Sequence, residues 1–320
     1  MVTETAPCDA GSALDSRAAH GQHPSAPSQD DDMSSPIIPL PASRPLQHLV
    51  AAHRIFLALQ SANWGAVALG LLSWREGGIV LILNLLAMIG LVLCPRCRLL
   101  GPNVAQLPAE AAATGAVALT FDDGPDPAVT PHVLDILDRY GARASFFCVG
   151  ERALRHPELI HEILRRGHTI ENHSHRHAAG FAGFGAAALL ADILAAQQAL
   201  SDIGGRAPRY FRAPMGFRSP LLAEALRRLD LTHVAWTRRG YDRLLRDPRR
   251  IVRRLTRNLA VGDILLLHDS DGRIGGAPVV LEALPLLLEQ LAAQGLHAIA
   301  LPDGLAEAAA EPIQQPHWHR

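Results

Sequence analysis

From Gly115 onward the chain alternates between two hydrophobic rhythms. Short apolar runs rich in β-formers stand at 116–121, 143–149, 168–172, 209–213, 231–236, 263–268 and 296–301. Segments of helical period separate them, near 130–140, 157–166, 184–201, 219–229, 248–259 and 278–294. A strand that reaches the next strand through a helix comes back parallel to it. The pattern therefore predicts an α/β fold with about seven parallel strands, in an open sheet or a sheet closed into a barrel. No G-x-G-x-x-G opens the first helix, so a dinucleotide fold has no support.

The rhythm is different ahead of Gly115. Ile55–Trp74 and Gly77–Pro95 are apolar and free of charge, twenty and nineteen residues long, with Arg75 and Glu76 between them. At about 1.5 Å per residue either could just cross a hydrocarbon core of about 30 Å. Gln60, Ser61 and Asn63 weaken the first stretch, whereas Asn84 is the one polar interruption of the second. The expectation is a membrane-anchoring helical hairpin over 45–100, against a helical pair buried on a soluble domain. Arg44, Arg54, Arg96 and Arg98 flank it and Arg75 sits at its tip. That distribution, two arginines at each end against one at the tip, tilts both ends towards the cytoplasm by a margin of one arginine per end. Residues 1–44 are rich in Ala, Ser, Pro, Asp and Gly and predict a disordered tail, with Asp30-Asp31-Asp32 as solvated charge. Residues 101–115 read as a linker, 116–303 as the catalytic domain and 304–320 as a second tail.

Composition narrows the chemistry. All 30 basic side chains are arginine. Without lysine there is no P-loop and no Schiff-base or pyridoxal enzyme. The 31 acidic residues against 30 basic ones argue against a nucleic-acid partner, and no nucleotide cofactor is expected. Four cysteines make no disulfide framework, and Cys94 and Cys97 read as two thiols at the end of an apolar helix. Sixteen histidines are many, and four fall between His168 and His177.

Polar residues cluster just past the strand ends: Asp122-Asp123, His173 and His177, Arg212, Asp242, and His268-Asp269. In a barrel these positions converge on the C-terminal rim, where such folds build active sites. Adjacent residues leaving a strand point different ways, so one of Asp122 and Asp123 can bind a metal while the other faces a substrate. Taken alone, the pair also fits a solvated Asp-Gly turn. His173 and His177, four apart, would share one side of a helical turn and suit a divalent metal. A surface His-rich loop is the plainer alternative. Two His and one Asp leave coordination open for water, as a catalytic site requires. Arg212, on an apolar strand end, needs a carboxylate partner. His268, taken alone, reads as a core histidine.

Together these segments resemble the polysaccharide deacetylases of the NodB-homology type, carbohydrate esterase family 4, over roughly Ala116–Leu301. The matching motifs are Thr120-Phe121-Asp122-Asp123-Gly124-Pro125, His173-Ser174-His175-Arg176-His177, Arg212-Ala213-Pro214-Met215-Gly216 and Leu267-His268-Asp269. Two departures stand out. Met215 replaces an aromatic residue. In the family's D-x-x-D-W only Asp242 is kept, with Arg239 at the first Asp and Arg243 at the Trp.

The resemblance implies a distorted (β/α) barrel and N-deacetylation of an amino sugar in a polysaccharide or glycan precursor. It implies a divalent metal, usually zinc, held by Asp123, His173 and His177. Asp122 would be the general base, positioned by Arg212. His268 would be the general acid, tuned by Asp242. The Met215 N–H would help bind the oxyanion, and Pro214 and Leu267 would line the substrate site. Arg239 and Arg243 point to an anionic glycan. An alternative keeps fold and metal but takes O-acetyl esters or small cyclic amides. The implied location is a bacterial inner membrane, with the side left open.

Overall fold

The computed structural model describes residues 50–112, 114–270, 278–301 and 305. The tail over 1–44 and nearly all of 304–320 lie outside the described residues. The first two helices, α1 (Ala51–Ala68) and α2 (Trp74–Val92), form a hairpin. Its turn falls at 69–73, earlier than Arg75 and Glu76, because Ser73 caps α2. Ser73 Oγ accepts from Glu76 N–H at 3.3 Å while Glu76 Oε2 accepts from Ser73 N–H at 2.7 Å. This reciprocal pairing starts a helix and draws Glu76 into its first turn.

The hairpin is inside-out for a water-soluble pair. Gln60 and Asn63 are buried, and Asn63 donates across the hairpin to the Gly77 carbonyl at 3.0 Å. Leu57, Ile79, Ile82, Leu83 and Leu86 face outward, each at least half exposed. Close approach is possible because Gly77 lies under Val67; a Cβ there would come within 2.6 Å of the valine methyl. Trp74–Val92 and Ala186–Gly204 are long and apolar enough to cross a bilayer. The second of these buries Leu189, Ile193, Ala196 and Leu200, so it is a core helix.

The remaining elements are α3 (Ala109–Ala112), β1 (Ala116–Asp122), α4 (Thr130–Arg139), β2 (Ser145–Cys148), α5 (Gly150–Arg155), α6 (Pro157–Arg165), β3 (Thr169–Asn172), α7 (Ala186–Gly204), β4 (Tyr210–Phe211), α8 (Leu222–Arg228), β5 (Thr232–His233), β6 (Arg238–Arg239), α9 (Pro248–Thr256), β7 (Ile264–His268), α10 (Val280–Ala293) and β8 (His297–Ile299). The strands are parallel in the order β5-β4-β3-β2-β1-β7-β6, with β8 also on β1, forming an open, distorted barrel. The sequence pattern misses β6, only two residues long and both arginine, and the single-turn helix α5. Residues in the composition-defined linker join the barrel wall: Val104 bridges Val234 and Gln106 bridges Asp263.

Strand alternation positions the site. In β1, Val117, Leu119 and Phe121 pack in the layer beneath the helices, while Ala116 and Ala118 belong to the barrel interior. In β7, Leu265 and Leu267 take the helix side, while Ile264 and Leu266 take the interior. The period of two thus assigns Asp122 and His268 to the interior face. They are also register partners across the β1–β7 ladder. Leu267 is fully buried on the opposite side. The motif-based expectation would place it at the substrate site, and in the structure it packs in the layer beneath the helices.

Candidate active site

Three donors converge just past β1 and β3. Asp123 Oδ1 lies 3.3 Å from His173 Nε2 and 3.0 Å from His177 Nε2. The three ligand atoms all lie within 4.8 Å of one another. Asp123 has a left-handed φ of 74°, which Asp tolerates better than most residues and which turns its carboxylate away from the strand repeat. The two imidazoles are not on a helical turn. They meet because Ser174 (φ 67°) and His177 (φ 49°) fold the loop back, bringing the ring centroids to 5.0 Å. One side chain of the motif and two from outside it hold that loop. Ser174 Oγ accepts from His177 N–H, Asn172 Oδ1 accepts from Ser174 N–H, and Asp192 on α7 accepts from His175 N–H.

The donor set fits a divalent metal. His173 Nδ1 lies 2.9 Å from the Arg212 carbonyl. Donation to that oxygen fixes the tautomer and leaves the Nε2 lone pair facing Asp123. Burial pushes the His173 imidazole down to about 3 and lowers His177 as well, so both are neutral at pH 7, the form that ligates.

Beside this triad stands a buried ion pair. Arg212 is completely buried, and its Nη1 donates to Asp122 Oδ1 at 2.7 Å and to Thr120 Oγ1 at 2.8 Å. Its Nε and Nη2 go to the carbonyls of Val234 and Ala235, and its plane lies 4.0 Å from the Phe147 ring centroid. Burial by itself would raise the Asp122 carboxyl. Arg212, followed by His173 and His268, outweighs it and holds the group below its ordinary value. Asp122 is therefore an ionised base with Oδ1 committed to Arg212 and Oδ2 directed at His173, 3.9 Å away.

The second dyad is His268–Asp242. Asp242 accepts from the His268 backbone N–H at 2.8 Å through Oδ2, and its Oδ1 lies 2.9 Å from His268 Nδ1. The ring is thereby held by one nitrogen, with Nε2 left for chemistry. Met215 has φ 58° and is 42% exposed, so the chain at this turn presents itself to solvent. Pro214 is buried. Arg243 forms a close ion pair with Asp123 Oδ2. Arg239 stacks between the rings of Trp236 (5.3 Å) and Tyr241 (5.1 Å).

Two further residues support the site: Arg152, which no motif includes, and Asp269, which closes the Leu267-His268-Asp269 motif. Arg152 on α5 donates to the Asp123 carbonyl at 2.8 Å. Asp269 is fully buried, accepts from Thr130 Oγ1 at 2.7 Å, and fills the space where any side chain on Gly124 would go. Burial raises its carboxyl to about 7.

An open α/β barrel carries at one rim a three-donor Asp-His-His cluster that could hold a metal ion, an Arg-held carboxylate and an Asp-held histidine, an arrangement suited to hydrolysis. The polysaccharide deacetylase family model matches residues 109–234. A peptidoglycan-N-acetylglucosamine deacetylase of Bacillus cereus is 31% identical over 189 residues, 58% of this chain and 86% of that protein. A chitooligosaccharide deacetylase of Azorhizobium caulinodans is 32% identical over 197 residues, 58% of this chain and 93% of that one. Among solved structures, the family 4 carbohydrate esterase from Streptomyces lividans in complex with acetate superposes with a TM-score of 0.53 at 32% identity, covering 57% of this chain and 91% of that one. The chain belongs to the polysaccharide deacetylase family, hydrolases of the acetyl–nitrogen bond.

Proposed function

We propose that this protein is a membrane-anchored, metal-dependent deacetylase that removes the N-acetyl group of an amino sugar in a glycan. The observation that carries this is the placement of two proton-handling groups on paired positions, Asp122 and His268, beside the Asp123-His173-His177 cluster. These three donors would hold a divalent ion, zinc first. Bound there, such an ion supplies a Lewis acid for the carbonyl and an acidified water.

The chain's own groups do the rest. Asp122 Oδ2, free while Oδ1 is held by Arg212, accepts a proton from the attacking water. His268, oriented through Nδ1 by Asp242, donates one to the departing amine. The Met215 N–H, in its left-handed turn, is the backbone donor for the oxyanion. Amide hydrolysis by this route needs no side-chain nucleophile.

The inside-out hairpin supports the anchor. Arg239, at the first position of the degraded D-x-x-D-W motif, supports an anionic glycan, whereas the charge of Arg243 is met by Asp123. Arg239 Nε is buried without a hydrogen-bond partner, and Arg239 is close enough to lower the pKa of Arg212 through repulsion. An anionic oxygen would satisfy both features. Comparing neutral with anionic acetylated glycans tests this, and a clear preference for neutral oligomers would overturn it. For the mechanism, Asp122→Asn should abolish acetate release while metal stays bound, and His173→Ala should lose both. A fully active Asp122→Asn enzyme would be incompatible with the proposed role.

A further inference from the structure

Arginines on two helices of the barrel are neutralised by acids of the same helix. On α6, Arg165 and Arg166 both pair with Glu162, and Arg166 also reaches Asp135 and Asp138. On α8, Arg227 and Arg228 share Glu224. The segment that leaves the catalytic rim is built differently. Nine of the 30 arginines fall between Arg238 and Arg257, with Asp242 and Asp247 as the only acids of that stretch. Asp242 is committed to His268. Asp247 caps α9 and lies 3.6 Å from Arg253. Arg238 is met by Asp263 and Arg243 by Asp123. Among the described residues, no carboxylate pairs with Arg246, Arg249, Arg250, Arg254 or Arg257.

The helix carries these charges against its own stability. Arg249, Arg250, Arg253, Arg254 and the C-cap Arg257 are all exposed on one face, opposite the buried Ile251, Val252 and Leu255. Like charges four residues apart repel, and here they stand at 249 and 253, 250 and 254, and 253 and 257. Arg249 and Arg250 also occupy the first turn, where the helix dipole disfavours cations. Local rules broken together, with no compensation inside the fold, mark a surface shaped for a ligand.

That surface is continuous with the site. The Arg254 guanidinium lies 4.6 Å from the Tyr241 ring centroid, and the Arg239 guanidinium lies 5.1 Å from the same centroid. Tyr241 directly precedes Asp242, which holds His268, and Arg243, which pairs with Asp123. Positive charge therefore runs from the donor cluster past Arg239 and Tyr241 onto α9. From Arg250 to Arg257 it continues for about 10 Å, at about 1.5 Å per residue. A guanidinium set against a ring keeps its in-plane N–H edge free, and a planar carboxylate accepts two parallel bonds along that edge.

We propose that the arginine face of α9 is an extended binding surface for an acidic glycan, whose carboxylates meet Arg250, Arg254 and Arg257 while an acetamido sugar of the same chain sits at the Asp123-His173-His177 rim. This rests on the anionic-glycan reading above and adds where the charge of the polymer is received.

The test measures binding by the zinc-loaded full chain in non-ionic detergent micelles, by fluorescence anisotropy of end-labelled oligomers. One probe is a hyaluronan octasaccharide, in which acetamido and carboxylate sugars alternate. The other is neutral tetra-N-acetylchitotetraose, with an equal number of acetamido groups. Several exposed ion pairs together are worth about tenfold in affinity, so the octasaccharide should bind more tightly by about that factor at low salt. Added sodium chloride should shrink the advantage. Arg250→Gln combined with Arg254→Gln and Arg257→Gln should remove most of it and leave chitotetraose affinity unchanged. The same variant should melt no lower than wild type, because it relieves like-charge repulsion. An advantage that survives the triple substitution, as it would if these arginines met an anionic bilayer instead, overturns the inference and leaves the anionic-glycan reading standing on Arg239. Equal affinity of wild type for the two oligomers overturns that reading and the inference with it. A lower melt with both affinities reduced alike makes the arginines structural and also overturns the inference.

Discussion

Arg212→Met is the most informative single change, because the side chain it removes serves several partners at once. Methionine can occupy much of the space of the arginine stem, but the guanidinium goes. Asp122, only 4% exposed, then loses the partner that holds it ionised. The carbonyls of Val234 and Ala235 and the Thr120 hydroxyl each lose a donor or neighbour. Breaking a buried ion pair from one side costs about 3–5 kcal/mol. Orphaned buried acceptors cost about 1–3 kcal/mol each when they stay dry. These costs are not additive within one network, and the variant gains back the arginine's own desolvation. A net loss of about 4 kcal/mol at pH 7 follows. For a chain of this size that is a fall in Tm of roughly 8–16 °C.

The pH dependence makes this prediction specific. Burial is the largest influence on Asp122, and it pushes the carboxyl up. With Arg212 gone it acts largely unopposed, and the pKa rises above the unfolded value. The variant's deficit should then shrink by about 1.4 kcal/mol per unit as pH falls below that raised pKa. Thermal unfolding of the full chain in detergent micelles with a chelator, from pH 5 to 8, reads this directly. Adding Arg212→Met to an Asp122→Asn background should cost about 2–3 kcal/mol less than it does alone. A deficit below about 1 kcal/mol, a deficit flat with pH, or simple additivity in the double variant would each refute the idea that Arg212 exists to hold an ionised Asp122.

Asp269, raised by burial to about 7, favours its protonated form in the folded state; its stabilisation is full below the unfolded value of 3.8 and is lost as pH rises to about 7. About three units set a ceiling of roughly 4 kcal/mol on the relative gain of Asp269→Asn between pH 4 and 7, and parallel denaturation curves for the two proteins would contradict it. Gly216 has φ +78° and lies against the Trp236 ring, so Gly216→Ala should cost about 1–3 kcal/mol and change Trp236 fluorescence; an unchanged spectrum and melt would show that the turn has room. Arg218→Met should leave the carbonyls of Cys97, Leu100, Gly101 and Pro102 short of a donor, lower stability by about 3 kcal/mol and open 97–102 to limited proteolysis, whereas wild-type protease resistance would show that this segment is held some other way.

What could be read from the chain follows the range of the forces involved. Strand alternation is local, so the apolar runs at 116–121 and 263–268 located β1 and β7 and put Asp122 and His268 at their C-terminal ends. The His173–His177 pairing was legible as spacing but not as conformation. Four residues apart fits a helical turn, yet two left-handed residues bring the rings together, and nothing local in Ser174 or His177 demands a positive φ. The turn of the hairpin was misplaced for a related reason. Charge at Arg75 and Glu76 suggests a break, but Ser73 three residues before Glu76 is a capping box that starts the helix earlier. Arg152 and Asp192 act on the site from other segments, and no spacing rule connects them to the groups they hold.

Arg243 shows where sequence reading stops and what contact adds. Its number places it where the family carries an aromatic wall, and its charge alone points to an anionic ligand. In the fold it reaches 120 residues back to Asp123 Oδ2, while Asp123 Oδ1 faces the two histidines. A cation on the outer oxygen of a metal-binding carboxylate fixes the orientation of that carboxylate, and it also draws electron density from it. The two effects oppose each other in metal affinity, and the first confines Asp123 to one rotamer. A neutral tryptophan could wall a sugar pocket but could not do this. The same substitution therefore acts on the pocket and on the donor set together. Positive charge brought to the rim by Arg243 is thus balanced by an acid already there.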